Sequence, residues 1–175
     1  MKPTEIEILE ALKANVKATD MVSALPAIND TSLRDFFDNL SGLLNPPGKV
    51  EIYIDGASDG DRNGGIGVRI LNNGAEKNIS RSIGKATNNE AEYSALLEGA
   101  KVALKNNFKN IAIYSDSELL VKQINGEYKV KAKNLIPLKE QVDSALAKVE
   151  NYSLEWIPRE QNRAADSLAK NGTKL

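Results

Sequence analysis

The chain has 175 residues, 23 of them basic and 24 acidic, and it contains neither cysteine nor histidine. That length suits one domain of ordinary size plus an appendage, with a core large enough to fold without staples. Without cysteine there is no disulfide or thiolate site. Without histidine there is no serine triad and no imidazole ligand, so any metal falls to carboxylates, which favour hard ions such as Mg2+ or Mn2+.

Residues 4–17 (TEIEILEALKANVK) carry apolar side chains at 6, 8, 9, 12 and 16, and Thr4 with Glu7 forms a capping box, so a helix is expected there. A second short helix is expected over about 20–28 and a third over 32–44, where Leu33, Phe36, Phe37, Leu40 and Leu43 make a stripe. Asn45-Pro46-Pro47-Gly48 then stops helical structure and reads as a linker. Residues 1–47 are thus expected to form a small helical appendage and linker, and 48–175 a second domain. The appendage holds four basic side chains against seven acids, which argues for packing or protein contact over phosphate binding.

From residue 49 the pattern is that of strands. VEIYIDG at 50–56 alternates Val50, Ile52 and Ile54 on one side with Glu51, Tyr53 and Asp55 on the other, which places Asp55 at the strand's exit. Gly56 and the loop 57–65, with three more glycines, suggest that the chain leaves the sheet there through tight turns. Strands over 65–71 and 76–83 flank Asn72-Asn73-Gly74, a strong hairpin signal. A helix over 89–105, a strand over 110–115, helices over 117–124 and 134–149, a strand over 152–157 and a last helix over 162–170 follow. Antiparallel strands that give way to alternating helices and strands predict an α/β domain, a mixed five-stranded sheet flanked by helices.

Four acids stand at the ends of these elements. Asp55 is either a turn residue before glycine or an acid presented to a ligand. Glu92 begins the stripe Leu96, Ala100, Ala103, and is either a cap or an inward carboxylate. Asp116 follows the strand at 110–115, in the position where parallel sheets bind ligands, and Ser115 with Glu118 is spaced as a capping box. Asp166 sits among Ala164, Ala165, Leu168 and Ala169, facing either a gap to solvent or the sheet. Were the four to converge, their repulsion would cost several kcal/mol per ion unless cations neutralised it. Two divalent ions would do so, and such a pair serves phosphodiester cleavage without histidine. Residues 48–175 hold nineteen basic side chains against seventeen acids, so removing four acids into one cluster leaves a surface suited to a polyanion.

YIDGAS at 53–58, TNNEAEYSALLEGA at 87–100, YSDSELLVKQI at 114–124 and WIPREQNRAADSLAK at 156–170 resemble, in order and spacing, the motifs of type 1 ribonuclease H in its short archaeal and bacterial form. The resemblance covers about 48–172. It implies the ribonuclease H-like fold and hydrolysis of the RNA strand of RNA-DNA hybrids with two Mg2+ ions (Mn2+ a substitute), leaving 3'-hydroxyl and 5'-phosphate ends. By motif position, Asp55 would bridge both metals, Asp166 would help hold the ion that activates water, and Glu92 with Asp116 would hold the ion near the leaving oxygen.

The same resemblance makes Asn88 and Asn89 contacts to the hybrid in the minor groove, where 2'-hydroxyls are displayed, and Thr87 a contact to a DNA-strand phosphate. Many relatives place a histidine before the last helix to assist product release; here Arg159 and Glu160 are the ionisable substitutes. GDRNGG stands in place of a Pro-Gly-rich turn, and Asp61 is expected to face solvent. Lys122, Tyr128, Lys129, Lys131 and Lys133 form either a shortened basic handle that tracks phosphates, with Lys129 and Lys131 as contacts, or an ordinary solvated loop. The competing class is a non-catalytic nucleic-acid-binding or interaction module, which would not need all four acids. Double-stranded RNA is an alternative substrate. No apolar run reaches the ~20 residues of a membrane span and the start lacks a signal-peptide layout, so a cytoplasmic protein without membrane contact is expected.

Overall fold

The computed structural model describes residues 49–175. The three helices expected before residue 45, and the appendage they form, lie outside the described residues. Elements follow in the order β1 (Val50–Ser58), β2 (Asn63–Asn72), β3 (Ala75–Lys85), α1 (Asn88–Lys105), β4 (Asn110–Ser115), α2 (Glu118–Ile124), α3 (Ile136–Leu146), β5 (Asn151–Trp156) and α4 (Arg163–Gly172). A 3-10 turn at Arg159–Gln161 precedes α4. The strands form one sheet in the order β3-β2-β1-β4-β5, with β1, β2 and β3 antiparallel and β1, β4 and β5 parallel. This is the expected mixed five-stranded sheet of a ribonuclease H-like fold.

The β2–β3 hairpin closes on Asn73 and Gly74, with φ of 47° and 81°. Two consecutive positive values make the tight turn whose twist matches that of the strands, and Asn-Gly is the pair that adopts it at least cost. The largest differences from the expected boundaries lie around the end of β1 and at α3. β1 does not end at Asp55 but runs on to Ser58, because its pairing with β2 continues through Gly56, Ala57 and Ser58. Consequently Gly64 and Gly65 are strand residues, and the turn is confined to 59–62, where the Asp59 side chain accepts from the Asp61 and Asn63 amides. α3 is shorter than the expected 134–149: it starts at Ile136, with Pro137 in its first turn, where a missing N–H costs nothing.

Alternation then divides the sheet. Ile52, Ile54 and Val68 are fully buried beneath α1, where Gly99 brings the helix so near that a Cβ would stand 3.2 Å from Ile52. Ile111, Ile113, Leu120, Val142, Leu146 and Leu154 extend this core toward β4, β5, α2 and α3. On the other face α4 packs across β1, β2 and β3. The contact is so close that a Cβ on Gly67 would overlap the backbone of Ala165 and Ala169, and Ser80 Oγ donates to the Leu168 carbonyl at 2.7 Å.

Gly67→Ala is therefore expected to push α4 off the sheet and destabilise the fold by about 3 kcal/mol, the upper range for overpacking. Urea denaturation checks this, with Gly60→Ala as the control, since nothing lies within 4 Å of a Cβ there.

Candidate active site

The parallel ladder between β1 and β4 ends with Ile54 beside Ser115. The next residue in each segment is an acid, so Asp55, still within β1, and Asp116, just past the end of β4, stand at one level, side by side. Asp55 faces the α4 side, as its partner Gly67 does, whereas Gly56 faces α1. A Cβ on Gly56 would overlap the backbone of Ala91 and Glu92, so only glycine lets the first turn of α1 rest on the strand and deliver Glu92. Asp166 arrives from the other face on the first turn of α4. The four acids line one open cleft of about 430 Å³ together with Gly56, Ser58, Asp59, Asn88, Arg159, Lys170 and Lys174.

Electrostatics divides the four. Asp55 is 6% exposed, and burial, then the charges of Asp116 and Asp166, push its carboxyl up to about 7 from the usual 3.8. Burial and the charges of Asp55 and Asp116 drive Glu92 well above the ordinary glutamate range. Its Oε2 is sealed from solvent and has no hydrogen-bond partner among the described residues. Burial also opposes ionisation of Asp166, but Lys170 and Arg159 outweigh it and hold that carboxyl below its usual value. Lys170 Nζ donates to one of its oxygens and Arg159 Nη2 to the other, each at 2.6 Å. Asp116 accepts at 2.5 Å from Asn162 Nδ2, which also donates to the Ile54 carbonyl at 2.9 Å.

The expected ligand contacts are distributed unevenly. Asn88 lines the cleft and its Oδ1 accepts from the Ser58 amide at 2.7 Å, whereas Asn89 is exposed and is not part of the cleft wall. Thr87 is the N-cap of α1, closed in a capping box with Glu90 that engages its hydroxyl. Arg159 belongs to the cleft and Glu160 does not. Lys129 and Lys131 are exposed on the segment between α2 and α3 and do not line the cleft, and Asp61 is exposed as expected. The capping box read from Ser115 and Glu118 is not formed. Ser115 ends β4 fully buried and its hydroxyl accepts from the Ser117 amide, while Ser117 caps α2 by accepting from Leu120 N.

Three contributors escape a reading of the sequence. Asn162 stands at the N-cap of α4 without capping it, because its side chain is spent on Ile54 and Asp116; it is 1% exposed and its Oδ1 is unpartnered. Lys170 lies one helical turn beyond Asp166, a spacing visible in the sequence but common to any amphipathic helix. Asp59 reaches the cleft only because β1 is longer than its alternation indicates.

Residues 54–172 match a family model described as "Reverse transcriptase-like". The chain is 32% identical over 136 residues to Ribonuclease HI of Halobacterium salinarum, a match covering 75% of this chain and 68% of the relative. This chain is a type 1 ribonuclease H-like protein. A crystal structure of RNase H1 from Halobacterium salinarum NRC-1 superposes with a TM-score of 0.69 at 31% identity, covering 73% of this chain and 98% of that one. LC11-RNase H1, solved in complex with an RNA/DNA hybrid, gives 0.66 at 33% identity over 72% of this chain and 97% of that one. The Bifunctional protein Rv2228c of Mycobacterium tuberculosis is 35% identical over 127 residues, 70% of this chain, and the match spans only 35% of that longer relative.

Four oxygen-donor acids, one of them with a sealed and unpartnered oxygen, suit a hard divalent ion in such a ribonuclease H-like cleft. As they stand, no three acids among the described residues are gathered to close on an ion. Arg159, Lys170 and Asn162 hold two of the four.

Because the fold keeps the Asp55 proton more tightly than the unfolded chain does between pH 3.8 and about 7, this group's contribution to metal-free stability falls as pH rises through that window. Asp55→Asn is expected to stabilise the metal-free protein at pH 8 by roughly 2 to 4 kcal/mol and to give no gain at pH 3.5. Urea denaturation in chelator at the two pH values measures the difference.

Proposed function

We propose that this ribonuclease H-like chain is an endoribonuclease that hydrolyses the RNA strand of RNA-DNA hybrids and leaves 3'-hydroxyl and 5'-phosphate ends. The observation that carries the reading is the meeting of Asp55, Glu92, Asp116 and Asp166 in one open cleft. It is supported by the identity to Ribonuclease HI and by the likeness to LC11-RNase H1, which was solved with a hybrid. Asp55, Glu92, Asp116 and Asp166 would hold two Mg2+ ions, with Mn2+ as a substitute. Bound there, the pair would supply an activated water and charge stabilisation for the leaving oxygen.

The chain's own residues prepare this chemistry. Asp55 and Glu92, buried and mutually repelling, favour any cation that relieves the charge. Asn162 fixes the carboxylate of Asp116 against β1, so that this ligand is oriented before anything binds. Asn88, at the N-terminus of the long helix α1, stands beside the acids where the positive end of the helix favours phosphate. The cleft is open to solvent, as access by a nucleic-acid strand requires.

With an end-labelled hybrid and Mg2+, the wild type is expected to cut the RNA strand internally, and chelation is expected to abolish cutting. Asp55→Asn is expected to lower the rate at least about a thousandfold, since it removes a ligand worth several kcal/mol at the transition state. A panel of hybrid, double-stranded RNA and double-stranded DNA reads the substrate class. Equal, negligible cutting of the hybrid by wild type and variant would sink the proposal in favour of a binding module.

A further inference from the structure

The acids of the cleft face a second set of charges that no ligand role yet explains. Lys170, Lys174 and Arg159 stand along the α4 side of the same cleft, and two of them close on Asp166. The Lys170 and Arg159 side chains are each more than half exposed, whereas Asp166 is 17% exposed. The cations are therefore the movable partners and the carboxylate is the fixed one. Among the described residues Lys170 forms no other hydrogen bond through its side chain.

An exposed pair four residues apart on a helix is weak, shifting an equilibrium by roughly twofold. Such a pair is too weak to exclude a divalent ion from Asp166, yet it neutralises that acid while no ion is present. Once a divalent ion takes the carboxylate, the ammonium has lost its partner. It then stands on a flexible stem beside the place where a phosphate must lie if the cleft cuts a nucleic-acid strand.

We infer that Lys170 is an exchangeable counter-ion: it occupies Asp166 in the free protein and passes to a backbone phosphate of the substrate when a divalent ion takes that carboxylate. The inference rests on the proposed function and adds a phosphate-binding residue to it, with Arg159 sharing the carboxylate. It makes two predictions of opposite sign for one substitution. Removing Lys170 removes a competitor for Asp166, so divalent ions bind the free protein more tightly. The same removal takes away a phosphate contact, so the hybrid binds more weakly and with less dependence on salt. An inert surface lysine would move neither quantity, and a lysine needed only for the fold would weaken both.

The test uses the full chain and its Lys170→Ala and Lys170→Arg variants. Calorimetry with Mn2+ measures ion binding, and fluorescence anisotropy of a labelled hybrid in Ca2+, with the RNA checked for intactness on a gel, measures substrate binding across a range of salt. Circular dichroism confirms that the exposed substitutions leave the fold in place. For Lys170→Ala the expected results are Mn2+ affinity raised about twofold or more, hybrid affinity lowered about threefold or more, and the salt slope reduced by about one. Lys170→Arg is expected to restore hybrid binding and its slope. Unchanged or weaker Mn2+ binding in Lys170→Ala, or an unchanged salt slope, overturns the inference while leaving the nuclease reading intact. A wild type that binds neither Mn2+ nor hybrid overturns both.

Discussion

Carboxylates pressed together at the mouth of one cleft repel each other, and the structure is arranged to bear that repulsion. Asp55 is taken out of water with two neighbouring acids in range, so its proton is held up to about pH 7, and burial with the charges of Asp55 and Asp116 drives Glu92 well above the ordinary glutamate range. Each would relax if the elements drew apart. They are kept from doing so by packing that leaves no room for adjustment: α1 rests on β1 at Gly56, and α4 rests on β2 at Gly67. The hydrophobic core beneath α1, with Ile52, Ile54, Val68 and Leu96 fully buried, supplies the free energy that holds the acids in place.

Where the repulsion is not borne it is answered by local charges and dipoles. Asp166 is answered by Arg159 and Lys170, and Asp116 by the buried amide of Asn162. At the two acids nearest the core the Gly56 amide and the charge of Arg159 offset burial only in part, and one Glu92 oxygen has no partner among the described residues. This asymmetry makes ionisation most costly at Asp55 and Glu92. Asp166, largely buried, is already paired with two side chains that are themselves more than half exposed. A ribonuclease H-like chain without histidine thus places its adjustable charges on the last helix and the turn before it.

Much of this was legible before any fold was known, and for local reasons. The Asn73-Gly74 turn follows from the φ values those residues accept, and the order of strands and helices follows from periods of two and 3.6. The four acids were marked by their places at the ends of elements and by motifs resembling a known family. What failed to show did so because it depends on partners distant in the chain. The length of β1 past Asp55 is dictated by β2, and the cap of α2 falls to Ser117 because Ser115 is consumed by the buried end of β4. Asn162 was hidden for the same reason, since an asparagine at a helix start reads as a cap until its 108-residue reach to Ile54 is seen.

By itself the sequence determined which groups were on offer: without histidine or cysteine, the carboxylates at strand and helix ends were the natural ligands for any metal. Tertiary structure alone decided which acids meet and what each meets. Convergence depends on the register of β1 with β4, and on two glycines that let helices touch opposite faces of the sheet. Register and close approach belong to pairs of segments, so no single stretch of the chain carries them.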